Sequence, residues 1–135
     1  MLNGSINICV SPQPDVLQQR AVSDLQAYLQ QLFQVHASVT DQPVANSQVR
    51  FVIGLVSDRH VRKVASELPT LSTQGHVVRK ISPKTMVLVG GSSAAVAWAV
   101  YELVEQYGVR YLLHGDVLPE KTGSFYLPDI DAIFE

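Results

Sequence analysis

A pair of glycines followed by two serines, at residues 90–93, is the first pattern that could carry chemistry. Glycines directly before a helix leave backbone N–H groups open to an anion such as phosphate. The Walker phosphate-loop pattern and the dinucleotide-binding GxGxxG pattern are both absent from the sequence. We therefore interpret these residues as a tight turn with a serine N-cap, and keep a small nucleotide- or anion-binding enzyme built on Gly90 and Gly91 as an alternative.

Histidine and cysteine show no catalytic or metal-binding spacing. The four histidines stand at positions 36, 60, 76 and 114, without an HExxH, CxxC or GxSxG motif. Cys9 is the only cysteine, and its apolar neighbours predict a buried thiol in a strand. We expect no metal, no cofactor and no internal disulfide.

Two carboxylates, Glu102 and Glu105, lie about one turn apart on a predicted helix. Glycoside cleavage needs two acids roughly 5–9 Å apart across a sugar, so spacing alone does not exclude the pair. Both fall where the helix becomes polar towards its end, which indicates solvated surface. No catalytic residue is assigned in this chain.

A candidate binding loop directly follows a predicted strand. It contains His114, Gly115 and Asp116, with Arg110 and Tyr111 just upstream. Loops at strand ends often carry binding groups. Arg110, Tyr111, His114 and Asp116 are therefore candidates for the rim of a substrate site, although a turn that leaves the sheet is the simpler interpretation.

Residues 94–101 (AAVAWAVY) form a helical segment with no polar face. A surface helix normally shows one apolar stripe and one charged face, so this segment should be covered on two sides. The chain's own sheet supplies one cover, and we expect the second to come from outside the chain. Ala97, Trp98, Val100 and Tyr101 are the candidates for that domain interface; Trp98 as a sugar-stacking platform is the weaker interpretation.

Composition bounds the class of protein. The 135 residues are 47% hydrophobic and 16% charged, with a formal net charge of −2 and a mean hydropathy of +0.14. Basic residues are scattered apart from residues 59–63, interpreted as a solvated helix face, so nucleic-acid binding is not expected. No apolar run reaches the length of a membrane span. The amino terminus lacks a signal-peptide pattern, and the compartment stays undecided.

The order of elements predicts one domain of the α+β class, an α/β sandwich in which a mixed sheet carries two main helices on one face. Gly108 should end the last helix in the left-handed conformation. The predicted strands are 5–10, 36–40, 49–56, 76–81, 85–89, 109–113 and 124–127. Three helices are predicted: the first ends near residue 34, the second ends near residue 68, and the third covers 92–107.

Four segments of the sequence resemble the non-catalytic amino-terminal domain of α-glucuronidases and β-N-acetylhexosaminidases, in glycoside hydrolase families 67, 115 and 20 and their relatives. They are the strand at 88–91 (LVGG), the helix at 97–105, the segment 107–112 (YGVRYL) and the Gly-Asp pair at 115–116. Tyr111 stands where tryptophan is common in that pattern.

The resemblance implies a fold like the second domain of β-hexosaminidase, placed beside a (β/α)8 barrel that holds the active site. Residues 1–135 would then be a single accessory domain whose partner is the catalytic barrel of the same polypeptide, in an enzyme acting on an oligo- or polysaccharide. An isolated chain would hide its apolar helix in a homodimer. A free-standing carbohydrate-binding module is the other alternative.

Overall fold

The computed structural model describes residues 6–41, 48–112, 115–117 and 124–135. In chain order the elements are β1 (Ile6–Cys9), α1 (Val16–Phe33), β2 (Ala37–Thr40), β3 (Val49–Leu55), α2 (Arg59–Val64), β4 (His76–Ser82), β5 (Thr85–Gly90), α3 (Ser93–Gln106), β6 (Arg110–Leu112), β7 (Gly115–Val117) and β8 (Asp131–Phe134). None of the helices in this part of the chain has both the length and the apolar character needed to cross a bilayer.

Six strands form a mixed sheet in the order β2-β1-β3-β5-β4-β8. Strands β2, β1, β3 and β5 run parallel to one another. β4 pairs antiparallel with β5 and with β8. The strands predicted at 76–81 and 85–89 therefore form a hairpin, and the mixed sheet is confirmed. β6 and β7 form a separate two-stranded antiparallel ribbon.

The two faces of the sheet carry apolar clusters of different size. Along β3, Phe51 and Ile53 belong to the larger cluster with α1 and α3, while Val52 belongs to the smaller cluster with Val61 of α2. Because successive side chains of a strand point to opposite faces, α1 and α3 share one face and α2 covers the other. The prediction of two main helices on one face is confirmed.

Helix α1 begins and ends at residues suited to those positions. The Asp15 carboxylate accepts a hydrogen bond from Gln18 N at 2.9 Å and serves as the N-cap. A hydrogen bond with the Ser93 side chain, and then the bond from Gln18 N, lower the pKa of Asp15. Gln34 ends the helix with φ of 56°.

Helix α3 packs against the sheet and against the neighbouring α1, so the chain itself supplies both covers of its apolar segment. The expectation that the second cover lies outside the chain is thereby corrected: α1 is a neighbour that helical periodicity alone did not pair with α3. Ser92 caps the amino end by accepting Ala95 N at 3.2 Å. Gly108, with φ of 98°, follows the last turn as predicted.

Two predicted bounds are wrong. The segment 124–127 is not a strand, and the last strand of the sheet is instead β8. Tyr126 O accepts a hydrogen bond from the Tyr107 hydroxyl at 2.7 Å, and Phe33 lies 5.5 Å from Phe125 between ring centroids. Aromatic packing therefore explains the apolar residues of this segment. α2 ends at Val64 rather than near residue 68.

Candidate functional site

The glycine turn after β5 is packed against its own chain. A Cβ at Gly90 would lie 2.5 Å from Val96 N, and one at Gly91 would overlap the carbonyl oxygen of Ser72. Gly91 N donates to Gly75 O at 2.9 Å, and the Ser92 hydroxyl donates to Thr73 O at 2.6 Å. Close contacts of Gly90 with α3 and of Gly91 with the loop before β4 therefore explain both glycines without an anion.

The candidate rim residues fall at the border of the described structure. His114 lies outside the described residues, as do the side chains of Arg110, Tyr111 and Asp116. Their backbone lies in the β6–β7 ribbon, where Tyr111 pairs with Asp116. The ribbon thus brings two of the four candidates opposite one another, and their substrate contact stays a prediction.

The four interface candidates on α3 occupy different environments. Val100 and Ala97 are buried within the chain, so neither offers its side chain to a partner. Tyr101 is half-buried, and its hydroxyl donates to the Asp24 carboxylate of α1 at 2.6 Å. Trp98 is 44% exposed. Of the four, Trp98 is the side chain with the most surface left for another domain.

A polar and aromatic cluster next to Trp98 was not predicted from the sequence. The His76 ring stacks on Phe134 with centroids 4.8 Å apart and meets the Trp98 ring edge-to-face at 6.1 Å. His76 Nδ1 lies 3.2 Å from Gln74 O, and Nε2 lies 3.9 Å from Glu102 Oε1. Glu102 was interpreted as solvated surface; it is the partly buried neighbour of His76.

A cleft at the carboxyl ends of the parallel strands is a second feature that sequence reasoning missed. β1 leads into α1 on one face of the sheet, and the neighbouring β3 leads into α2 on the other face. Such a topological switch point is where open α/β sheets commonly bind ligands. The cleft measures about 740 Å³. Its described lining is Ser11, Pro12, Asp41, Asp58, Arg59, His60 and Lys63.

Gly54, near the end of β3, lets two of these side chains approach the sheet. A Cβ there would lie 2.7 Å from Asp58 Oδ2 and 2.8 Å from His60 Nε2. Asp58 Oδ2 accepts Leu55 N at 2.9 Å, and His60 Nε2 lies 2.8 Å from Ile53 O. Since a carbonyl only accepts, Nε2 carries the proton and Nδ1 is the remaining ring nitrogen.

Cys9 is buried as predicted, and burial raises the pKa of its thiol, so it is a poor nucleophile. Within the described part of the chain, no three His, Cys, Asp or Glu side chains come together as a metal site.

The fold matches parts of several solved glycoside hydrolases. A family 115 4-O-methyl-α-glucuronidase with specificity for decorated arabinogalactans matches with a TM-score of 0.80 and 18% identity, over 97% of this chain and 17% of that chain. A family 84 protein matches with a TM-score of 0.60 and 11% identity, over 84% of this chain and 19% of that one. The Streptomyces plicatus N-acetyl-β-hexosaminidase matches with a TM-score of 0.51 and 14% identity, over 76% and 17%.

At these low identities the matches establish the fold. The chain has the α/β fold of a domain found within larger glycoside hydrolase chains, and the resemblance to family 115 and to β-N-acetylhexosaminidases is confirmed. The chain spans less than a fifth of the length of each of these three structures. No family model matches the sequence, and no curated protein matches it by sequence.

Proposed function

We propose that this chain is a non-catalytic accessory domain of a carbohydrate-active glycoside hydrolase, which packs against a (β/α)8 catalytic barrel of the same polypeptide and orients it. The observation that carries the proposal is the match over 97% of this chain to 17% of a family 115 α-glucuronidase. A domain that recurs as a small part of long enzymes is suited to support a catalytic domain rather than to replace it.

The surface around Trp98 supports this role. A tryptophan that is 44% exposed, beside the stacked rings of His76 and Phe134, offers a large apolar area at the β8 end of the sheet. Buried tryptophans are frequent energetic centres of protein interfaces. In the proposal the catalytic barrel covers Trp98, and Tyr101 serves mainly to join α3 to α1.

The β6–β7 ribbon is the proposed contact with the saccharide at the rim of the barrel. Arg110, Tyr111, His114 and Asp116 are the residues assigned to it. The assignment rests on the place of His114 after a strand predicted from the sequence, and on the pairing of Tyr111 with Asp116 in the ribbon.

Substitution in the full-length gene product tests the proposal. Trp98→Asp should lower the thermal stability and the glycosidase activity of that protein, because a charge would be buried at the interface. Leu17→Asp is the matched control, since Leu17 is 50% exposed on α1. The isolated chain should be folded in both variants and should not hydrolyse aryl glycosides.

Three outcomes would overturn the proposal. They are turnover by the isolated chain, equal effects of Trp98→Asp and Leu17→Asp in the full-length protein, and a gene that encodes no catalytic domain beside this one. Normal folding of the isolated Trp98→Asp chain separates lost docking from lost stability.

A further inference from the structure

We propose that the exposed surface of α2, together with the cleft at the switch point, binds an acidic oligosaccharide. Arg59, Arg62 and Lys63 are exposed within six residues of one short helix, and the helix contains no acidic residue. The whole chain has a formal net charge of −2, so this surface is basic against an acidic background. Such a local excess attracts an anionic partner.

Two adjoining depressions give this surface its shape. A shallow one of about 400 Å³ is lined by Ser57, Arg59, Arg62, Lys63 and Ser66. The switch-point cleft of about 740 Å³ shares Arg59 and Lys63 with it. Together they extend from α2 to the residues that follow β1 and β2, and each volume suits a ligand larger than a single ion.

The mixture of charges favours a sugar acid over other anions. A uronate residue carries one carboxylate, which suits Arg59 or Lys63, and neighbouring hydroxyls, which suit acceptors such as Asp41 and Ser11. The Asp41 and Asp58 carboxylates repel any polyanion, and a saccharide offsets this repulsion with hydroxyl donors that a DNA backbone lacks. The inference that the ligand is a saccharide rests in part on the proposed function. The inference that the ligand is negatively charged rests on the basic surface alone.

Two side chains of the cleft are preorganised by hydrogen bonds to the backbone. His60 is fixed by its bond to Ile53 O, and Asp58 by its bond to Leu55 N, both against the open backbone at Gly54. Fixed polar groups lose less conformational freedom when a ligand binds. His60 Nδ1 is then a further hydrogen-bonding group for a ligand in the cleft.

Calorimetric titration of the 135-residue chain tests the proposal. Tetragalacturonate is the probe, its fully methyl-esterified form is the neutral matched ligand, and a short single-stranded DNA is the competing polyanion. We expect binding of tetragalacturonate that weakens as salt is raised, and weak or no binding of the other two.

Variants locate the site. Arg59→Gln with Lys63→Gln should weaken tetragalacturonate binding about tenfold, since each exposed ion pair contributes modestly. Lys84→Gln is the matched control, because Lys84 is exposed in the turn before β5, at the opposite end of the parallel strands from the cleft.

The results separate this proposal from the accessory role. Equal binding of the acid and its ester, tighter binding of DNA, or unchanged affinity in the Arg59/Lys63 variant would each overturn it. An absence of tetragalacturonate binding would overturn it as well. None of these results affects docking at Trp98, which the full-length substitutions test independently.

Discussion

The two faces of the central sheet differ in how much apolar surface they bury. On one face, α1 and α3 enclose a large apolar cluster, and nearly every apolar side chain of α3 is hidden by the chain itself. On the other face a helix of six residues buries only Val61 and exposes its charges. The first face stabilises the domain, and the second leaves polar groups available for a ligand.

The difference shows that an apolar helix does not by itself require an external partner. α3 is hidden because α1 lies beside it, and a specific bond between Tyr101 and Asp24 joins the two helices. α1 does not cover Trp98, which lies on the side of α3 towards β4, where its ring meets that of His76. A small exposed area therefore carries the proposed docking, rather than the whole segment 94–101.

The largest effect is expected from the enclosed face. Leu103→Ala should reduce the free energy of unfolding by about 2–5 kcal/mol, because Leu103 is fully buried between the sheet and α1 and its loss leaves a cavity. Chemical denaturation measures the change. Leu17→Ala, at an exposed position of α1, should stay within about 0.5 kcal/mol. Equal costs would mean that the two helices are not packed as described.

A smaller effect is expected at the cleft. Gly54→Ala should cost about 1–3 kcal/mol, because the new methyl group would displace the His60 ring and the Asp58 carboxylate from their backbone partners. In a His60→Ala background the same change should cost less, since the ring is gone. Strict additivity of the two substitutions would contradict the close approach at Gly54.

Tyr101→Phe tests the joint between α1 and α3. It should lower the free energy of unfolding by about 1 kcal/mol at neutral pH. This is less than for a fully buried hydrogen bond to a carboxylate, because the pair is partly exposed. Burial first, and then Asp24, raise the pKa of Tyr101 from 10.0 to about 12.

The pH dependence follows from that shift. A pKa raised in the folded state means that the native protein holds the proton more tightly, so the contribution of Tyr101 is complete below pH 10 and is lost as pH rises towards 12. The stability difference between the native protein and Tyr101→Phe should therefore shrink over this range. Burial also raises the pKa of Tyr107, which both proteins share. A difference that is constant with pH would argue against the Asp24 bond.

The smallest change is expected on the surface of α2. Arg62→Gln should alter the free energy of unfolding by no more than about 0.5 kcal/mol, because Arg62 is exposed and its main contribution is to the last turn of a short helix. Thermal unfolding at two salt concentrations measures it. A larger loss in the free energy of unfolding would show that the basic residues stabilise the fold rather than serve to bind a ligand.

The sequence predicted what depends on local pattern. The apolar runs of β3 and β5, the Ser92 cap and the Gly108 ending are set by neighbours in the chain, and each was found. The position of β8 was missed because an exposed edge strand alternates only weakly and Phe125 is apolar for another reason.

The candidate sites were predicted less well because they depend on distant contacts. The cleft joins residues after β1, β2 and β3, so it exists only once strand order is known. His76 meets Trp98 and Phe134 across three elements, and nothing in its local sequence marks it. One signal was available for the cleft: the glycine at position 54, before Asp58 and His60, marks a close approach.

Hydroxyl-radical footprinting of Trp98, the only tryptophan of the chain, tests the proposed docking most directly. The account predicts ready oxidation of Trp98 in the 135-residue chain and strong protection in the full-length gene product, while the exposed side chain of Leu17 reacts alike in both. Equal reactivity of Trp98 in the two proteins would contradict the accessory-domain proposal.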